Sequence, residues 1–144
     1  MKLITEILRA KGRNVWTVSS DSTVYDALQE MADKNVGALL VVEGDKLVGV
    51  FSERDYARKV ILHGKASKDT LVREIMSTEV FWVRPDQTVA LCMELMTDKR
   101  VRHLPVLDEG RLVGVISIGD VVKAVISEQE FTIQQLEHYI TGGR

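Results

Sequence analysis

Hydrophobic positions in the first half of the chain begin with a strand-like spacing and change to a helical one. A short β-prone stretch covers Val15–Val18, and a polar turn ending at Thr23 follows it. Apolar residues then recur at helical spacing between Val24 and Met31. Because threonine is a favoured N-cap residue, this segment predicts a strand followed by a helix that begins after Thr23.

Two further apolar runs follow the predicted helix. They cover Ala38–Val42 and Leu47–Phe51, and the short stretch between them contains Gly44. Glycine tolerates the positive φ angles of tight turns, so the two runs predict a β-hairpin. Ser52 then introduces a second helix, which gives the order β-α-β-β-α.

The same order occurs twice. A shift of 65 residues aligns Val15–Ile61 with Val80–Ile126 without a gap, and 19 of the 47 aligned pairs are identical. Ordinary composition would give about three identities in such an alignment. The second copy therefore predicts a strand at Val80–Val83, a helix, a hairpin across residues 108–110 and a closing helix after Ser117.

The duplication predicts an α/β (α+β) fold built from two β-α-β-β-α repeats. Neither repeat has enough apolar surface to be stable alone, so we expect the two to pack with pseudo-twofold symmetry and to leave clefts between them. Short leading helices are expected at Leu3–Leu8 and Leu71–Met76, and a helical tail at Phe131–Ile140. The expected boundaries are 1–67 for repeat 1, 68–128 for repeat 2 and 129–144 for the tail.

Composition narrows the possible functions. The formal net charge of −2 gives no general attraction to nucleic acid or to an anionic membrane. Apolar runs are far shorter than the ~20 residues that cross a bilayer, and no secretory leader opens the sequence. The single cysteine, Cys92, excludes an internal disulfide and fits a small buried residue. We therefore expect a cytoplasmic protein without membrane or nucleic-acid partners.

A Gly-x-x-Ser-x-x-Asp motif stands at the last strand-to-helix junction of each copy. Glycine in a strand lets a ligand approach the backbone, and serine at a helix N-terminus lies where free amides favour phosphate. An aspartate one turn later can accept two hydrogen bonds from a ribose diol. The same spacing is also that of a capping box. The motif occurs as Gly49, Ser52 and Asp55, and again as Gly114, Ser117 and Asp120.

The duplicated order, with Gly-Val-Phe-Ser-Glu-Arg-Asp and Gly-Val-Ile-Ser-Ile-Gly-Asp at these junctions, resembles a tandem pair of CBS (cystathionine beta-synthase) domains, or Bateman module. The resemblance covers nearly the whole chain and extends to free-standing bacterial CBS-pair signal-transduction proteins. It implies a regulatory ligand, AMP, ADP, ATP, NAD or S-adenosylmethionine. It also implies that the motif aspartate binds ribose hydroxyls and that the serine approaches phosphate.

The resemblance assigns a nucleotide site to each copy. In the second copy, Arg102 and His103 occupy the position from which basic residues contact phosphate, although they also fit a solvated pair at a strand edge. Trp82 could stack on the base or simply pack. The set expected in the second copy is Trp82, Val83, Arg102, His103, Pro105, Gly114, Ser117 and Asp120. The set expected in the first copy is Thr17, Val18, Ala38, Ser52, Arg54 and Asp55.

The first copy departs from the pattern. Gly37 and Ala38 replace the basic pair, and Glu53 adds a carboxylate that is unfavourable beside a phosphate. Arg54 belongs to the same junction and could offset Glu53. We therefore expect the second copy to hold the stronger phosphate site.

Sequence motifs of catalysis are missing. The chain contains no P-loop, GxGxxG, GxSxG or HExxH motif, so we expect no enzymatic activity and no metal site. The leading hypothesis is an adenine-nucleotide sensor that regulates an unidentified partner protein in trans and forms a homodimer. The alternative is a dimerisation or interaction module that works without a ligand.

Overall fold

The computed structural model describes residues 2–141 and divides into two compact units. The first-repeat unit runs from Asn14 to Phe81, and the second-repeat unit combines the residues up to Arg13 with those from Trp82 onward. In chain order the elements are α1 (Ile4–Lys11), β1 (Thr17–Ser19), α2 (Val24–Lys34), β2 (Ala38–Glu43), β3 (Lys46–Ser52), α3 (Glu53–Tyr56), a π-helical segment (Ala57–Ile61), α4 (Val72–Ile75), α5 (Val89–Lys99), β4 (His103–Asp108), β5 (Arg111–Ser117) and α6 (Ile118–Ile140).

The first-repeat unit contains a three-stranded sheet in the order β1-β2-β3. β1 pairs with β2 in parallel, and β2 pairs with β3 as the antiparallel hairpin that the sequence predicts. Gly44 in the hairpin turn has φ 60°, the left-handed conformation expected of it. The Thr23 hydroxyl accepts a hydrogen bond from the Asp26 amide and caps α2, as predicted. Phe51 is fully buried in the core that forms beneath the sheet.

The second-repeat unit has a two-stranded sheet, β4-β5, and the strand predicted at Val80–Val83 is reduced to one parallel bridge between Val83 and Val106. In the first-repeat unit β1 is flanked by hydrogen bonds from Leu40 N–H to Trp16 O and from Ser20 N–H to Val42 O. The 65-residue shift replaces both donor residues by the chain's two prolines, Pro105 and Pro85. Because proline has no N–H, neither bond can form and the strand is not extended.

The leading helices do not follow the expected repeat boundaries. α1 packs on β5, and its residues Ile4 and Leu8 are buried within the second-repeat unit. α4, which the sequence boundaries place in repeat 2, packs on β3 of the first-repeat unit. Each short helix buries apolar residues in the unit whose strand it contacts. The compact units are therefore not the contiguous segments 1–67 and 68–128.

α6 continues from the second repeat into the predicted tail without a break. The predicted helix at Phe131–Ile140 forms, but it is the second half of the 23-residue helix that begins at Ile118. Every residue from Ser127 to Thr141 is exposed. Within residues 2–141, no helix is long and apolar enough to cross a membrane. The expected tail boundary at residue 144 lies outside the described residues.

Candidate functional site

The Ser117–Asp120 motif forms the N-terminus of α6 in the second-repeat unit. The Asp120 amide donates to Ser117 Oγ at 3.1 Å, and the Ser117 amide donates to Asp120 Oδ2 at 2.9 Å. These two bonds form a capping box, the structural role that the spacing of serine and aspartate allows beside nucleotide binding. The box fixes the carboxylate at the first turn of the helix, with the Asp120 side chain 21 % exposed.

Lys11 at the end of α1 contacts this carboxylate. Its ammonium lies 2.7 Å from Asp120 Oδ2 and donates a second hydrogen bond, 3.0 Å long, to the Val115 carbonyl of β5. Burial raises the pKa of Asp120, but the bonds from Lys11 and Ser117 outweigh it and hold that pKa below its usual value. The carboxylate is therefore ionised at neutral pH.

Arg102 and His103 lie at the same end of the unit. His103 is the register partner of Ser117 in the β4-β5 hairpin, and the Arg102 carbonyl accepts a 2.9 Å hydrogen bond from the Ile118 amide. This placement beside Ser117 is the one expected from sequence. Burial, and then the positive charges of Lys11 and Arg102, lower the pKa of His103 against the opposing effect of Asp120. The imidazole is therefore neutral at pH 7.

The residues expected around the base differ in exposure. The Trp82 side chain is 49 % exposed and accessible, whereas Val83 and Pro105 are buried. Gly114 has a packing role: a Cβ at this position would lie 2.7 Å from Leu8 Cδ2. On that face the missing side chain makes room for α1 rather than for a ligand.

The first-repeat unit repeats the capping box with different neighbours. Asp55 Oδ2 accepts from the Ser52 amide at 3.0 Å, and Asp55 Oδ1 accepts from the Ser77 hydroxyl at 3.4 Å. Lys59, one turn later, lies 3.2 Å from Asp55 Oδ1. Ala38 is the register partner of Ser52 and supplies no polar side chain.

The remaining first-copy candidates are more exposed. Arg54 and Thr17 are exposed, and Val18 is half-buried against the core. Arg54 follows Glu53 in the first turn of α3, where both side chains are exposed to solvent. The site in this unit is therefore less cationic than its counterpart around Asp120.

Sequence reasoning missed the residues that contact the two aspartates. Lys11 and Ser77 are distant in sequence from the aspartates they bind, so local spacing gives no signal for them. Lys59 is four residues after Asp55, a helical ion-pair spacing that could have indicated it.

Neither a cluster of metal-ligand side chains nor an exposed thiol lies within residues 2–141. The described residues contain no group of three or more histidine, cysteine or acidic side chains that could hold a metal ion. Cys92 is buried in the core, and burial raises the pKa of its thiol to about 11. The thiol is therefore protonated and unreactive at neutral pH.

Comparisons with known proteins identify the architecture. The family model of the CBS domain matches residues 6–62 and 72–127. The mitochondrial CBS domain-containing protein CBSX3 of Arabidopsis thaliana is 43% identical, over 97% of this chain and 72% of the relative. A candidate signal-transduction protein with CBS domains from Burkholderia ambifaria MC40-6 has 53% identity and a TM-score of 0.86, over 89% of this chain and 96% of that one.

A more distant structure shares the fold. The CBS domain pair of protein MJ0100, solved with 5-methylthioadenosine and S-adenosyl-L-methionine, has a TM-score of 0.78 at 23% identity. The match covers 89% of this chain and 98% of that one.

Proposed function

The chain belongs to the CBS domain family, and from this premise we propose that it is a regulatory module that binds an adenine nucleotide, AMP, ADP, ATP or NAD, through the second-repeat unit. The observation that carries the proposal is the cluster at the start of α6. In this cluster Lys11 contacts the ionised carboxylate of Asp120. The charges of Lys11, Asp120 and Arg102 all act on the pKa of His103.

Each component of the cluster suits one part of a nucleotide. The carboxylate can accept two hydrogen bonds from the 2′- and 3′-hydroxyls of a ribose. The basic side chains and the positive end of the α6 helix dipole, at the turn that Ser117 caps, favour a phosphate. The exposed ring of Trp82 offers an apolar face for a base. The adenosine ligands of the MJ0100 pair support this ligand class for the fold.

The first-repeat unit has the ribose-binding part of the arrangement and a weaker phosphate part. Ser52 and Asp55 repeat the capping box, whereas Ala38 replaces the histidine and Glu53 adds a negative charge. In this proposal Thr17, Val18 and Arg54 complete a site that binds more weakly or holds a nucleoside end. The second-repeat unit determines the measured affinity.

In this proposal the protein is cytoplasmic and regulates a separate, unidentified partner protein in trans. It does not itself catalyse a reaction. Ligand binding can regulate the partner only if the ligand binds more tightly to one conformational state of the module than to another. Neither a membrane nor a nucleic acid is part of this proposal.

The exposed face of α6 favours a second role, the formation of a homodimer. Val122, Ile126, Ile133, Leu136 and Ile140 recur with spacings of three and four residues along one stripe, with Gln129 completing the pattern. All five apolar side chains are exposed, from 49 % for Ile126 to 80 % for Ile140. A stripe with this period and with isoleucine every seventh residue is self-complementary in paired helices. A second copy of the chain is therefore the proposed occupant.

Light scattering after gel filtration tests the dimer. Ile133→Glu places a charge in the stripe, and the expected result is a monomer in place of the dimer of the unchanged protein. Gln134→Glu adds the same charge one position outside the stripe and should leave the dimer intact. A monomeric unchanged protein, or a dimer that survives Ile133→Glu, argues against this surface.

Isothermal titration of the purified protein with AMP, ATP, NAD and S-adenosylmethionine tests the sensor. Micromolar binding of AMP, ATP or NAD supports the proposal, whereas binding of S-adenosylmethionine alone would contradict its phosphate part. If none of the four binds, the regulatory role through adenosine ligands fails and the ligand-independent interaction module becomes the better account.

A further inference from the structure

Each unit has an equivalent pair of hydrogen-bond acceptors, and the donors that bind them differ between the units. In the first-repeat unit the Ser77 amide donates to the Val50 carbonyl at 2.9 Å, and the Ser77 hydroxyl reaches Asp55. The 65-residue shift makes Val115 the counterpart of Val50 and Asp120 the counterpart of Asp55.

In the second-repeat unit both acceptors bind the same ammonium group. Lys11 Nζ donates to the Val115 carbonyl at 3.0 Å and to Asp120 Oδ2 at 2.7 Å. A positive charge therefore occupies the place that the neutral Ser77 has in the other unit. Lys59, the lysine that pairs with Asp55, has no counterpart here, because the shift places Ala124 at that position.

The ammonium contacts the proposed ribose-binding carboxylate and lies close enough to the proposed phosphate-binding side chains for its charge to act on one of them. It occupies Asp120 Oδ2, and its charge also acts on His103, next to Arg102. Its side chain is 32 % exposed, and it extends from the last turn of α1, so it can turn toward a bound anion without moving the helix. A long flexible stem makes such a change of partner easy for lysine.

We propose that Lys11 makes the site selective for phosphorylated ligands. The ammonium of Lys11 contacts the carboxylate of Asp120, and a ribose that takes this carboxylate displaces the ammonium. When a nucleotide binds, its phosphate can accept a hydrogen bond from the displaced ammonium. When a nucleoside binds, the ammonium gains no such partner. This inference rests on the proposed nucleotide function and adds the ligand class that the site accepts.

Lys11→Ser tests the role, because it installs the neutral side chain found in the first-repeat unit. The affinities for AMP and for adenosine are measured by isothermal titration in the unchanged protein and the variant. The ratio of the two affinities should fall on the order of 10-fold, since one charge-assisted hydrogen bond to phosphate is lost. Lys11→Arg retains the charge and should keep the ratio within about 3-fold.

Arg9→Ser is the matched control, because Arg9 is exposed on the same helix. It should leave the ratio unchanged, and thermal unfolding of all three variants shows whether they are folded. If the unchanged protein prefers AMP and Lys11→Ser keeps that preference, the selectivity role is overturned and the nucleotide function stands. If the unchanged protein binds neither compound, the selectivity role fails, and the nucleotide function fails with it only if ATP and NAD do not bind either.

Discussion

Lys11 and Asp120 are 109 positions apart in the sequence, and the ammonium of one lies 2.7 Å from the carboxylate of the other. The contact exists because α1 packs on β5 and covers Gly114 with Leu8. The leading helix of the chain thus completes the candidate site of the second repeat. A change in α1 can therefore alter the ligand site without altering the repeat that carries its motif.

The two motif glycines provide a test of this packing. Gly49→Ala would bring its Cβ to 2.9 Å from the Ser77 carbonyl oxygen, whereas Gly114→Ala meets only the flexible end of Leu8. We expect Gly114→Ala to lower the free energy of unfolding by about 1–3 kcal/mol. Gly49→Ala should lower it further, because a backbone atom cannot move aside. Urea unfolding of each variant measures both effects.

Gly37→Ala is the control for the glycine pair. No heavy atom lies within 4 Å of a Cβ built there. Its free energy of unfolding should stay within about 1 kcal/mol of the unchanged protein. Equal stability of all three variants would show that Leu8 and the Ser77 carbonyl do not pack on the two motif glycines as described.

His103 should couple nucleotide binding to pH. Its pKa is lowered by burial and by Lys11 and Arg102, so the free protein holds the imidazole neutral at pH 7. A bound phosphate favours the protonated form and raises this pKa, so binding takes up a proton. The affinity for AMP should therefore increase more from pH 8 to pH 6 in the unchanged protein than in His103→Gln.

The phosphate of AMP also titrates between pH 8 and pH 6, but its titration affects both proteins equally. The difference between the unchanged protein and His103→Gln therefore reports the imidazole alone.

The lowered pKa of His103 also affects stability, because protonation of the imidazole favours the unfolded chain. The contribution of His103 to stability therefore falls as the pH drops below its unfolded pKa of about 6.5. His103→Gln should lose less stability than the unchanged protein as the pH falls below about 6.5. Parallel pH profiles for the two proteins would contradict this account of His103.

The ribose role of Asp120 predicts discrimination against 2′-deoxy ligands. Removal of the 2′-hydroxyl leaves the carboxylate with one donor in place of two. We expect 2′-deoxy-AMP to bind about 10-fold more weakly than AMP in competition titrations. In Asp120→Asn this difference should shrink, because the charge that strengthens both bonds is gone. Equal affinity of the unchanged protein for the two compounds would be incompatible with ribose binding at Asp120.

Much of the fold follows from local sequence signals. The hairpin turn at Gly44, the N-cap at Thr23 and the Ser117–Asp120 box depend on neighbouring residues, and the duplication makes each signal appear twice. The strand predicted at Val80–Val83 is reduced to one bridge. Pro105 acts from the partner strand, where the local propensity of Val80–Val83 gives no warning, whereas Pro85 lies only two residues after Val83 and was a local signal that sequence reasoning passed over.

The packing of α1 and α4 could not be predicted from their own sequences. Each is a short helix with one apolar face, and such a face does not specify which strand it covers. The contact between Lys11 and Asp120 depends on that choice, so it was missed with it. The serine and aspartate of each motif, in contrast, were found because their spacing of three residues is itself the capping geometry.

The most direct test of the proposed function is a titration of AMP into Asp120→Asn and Asp55→Asn, beside the unchanged protein. Asparagine keeps an oxygen for the capping box, so both variants should remain folded. We expect Asp120→Asn to weaken AMP binding at least about 10-fold, and Asp55→Asn to change it by less than about 3-fold. Undiminished AMP binding by folded Asp120→Asn would contradict the assignment of the nucleotide site to the second-repeat unit.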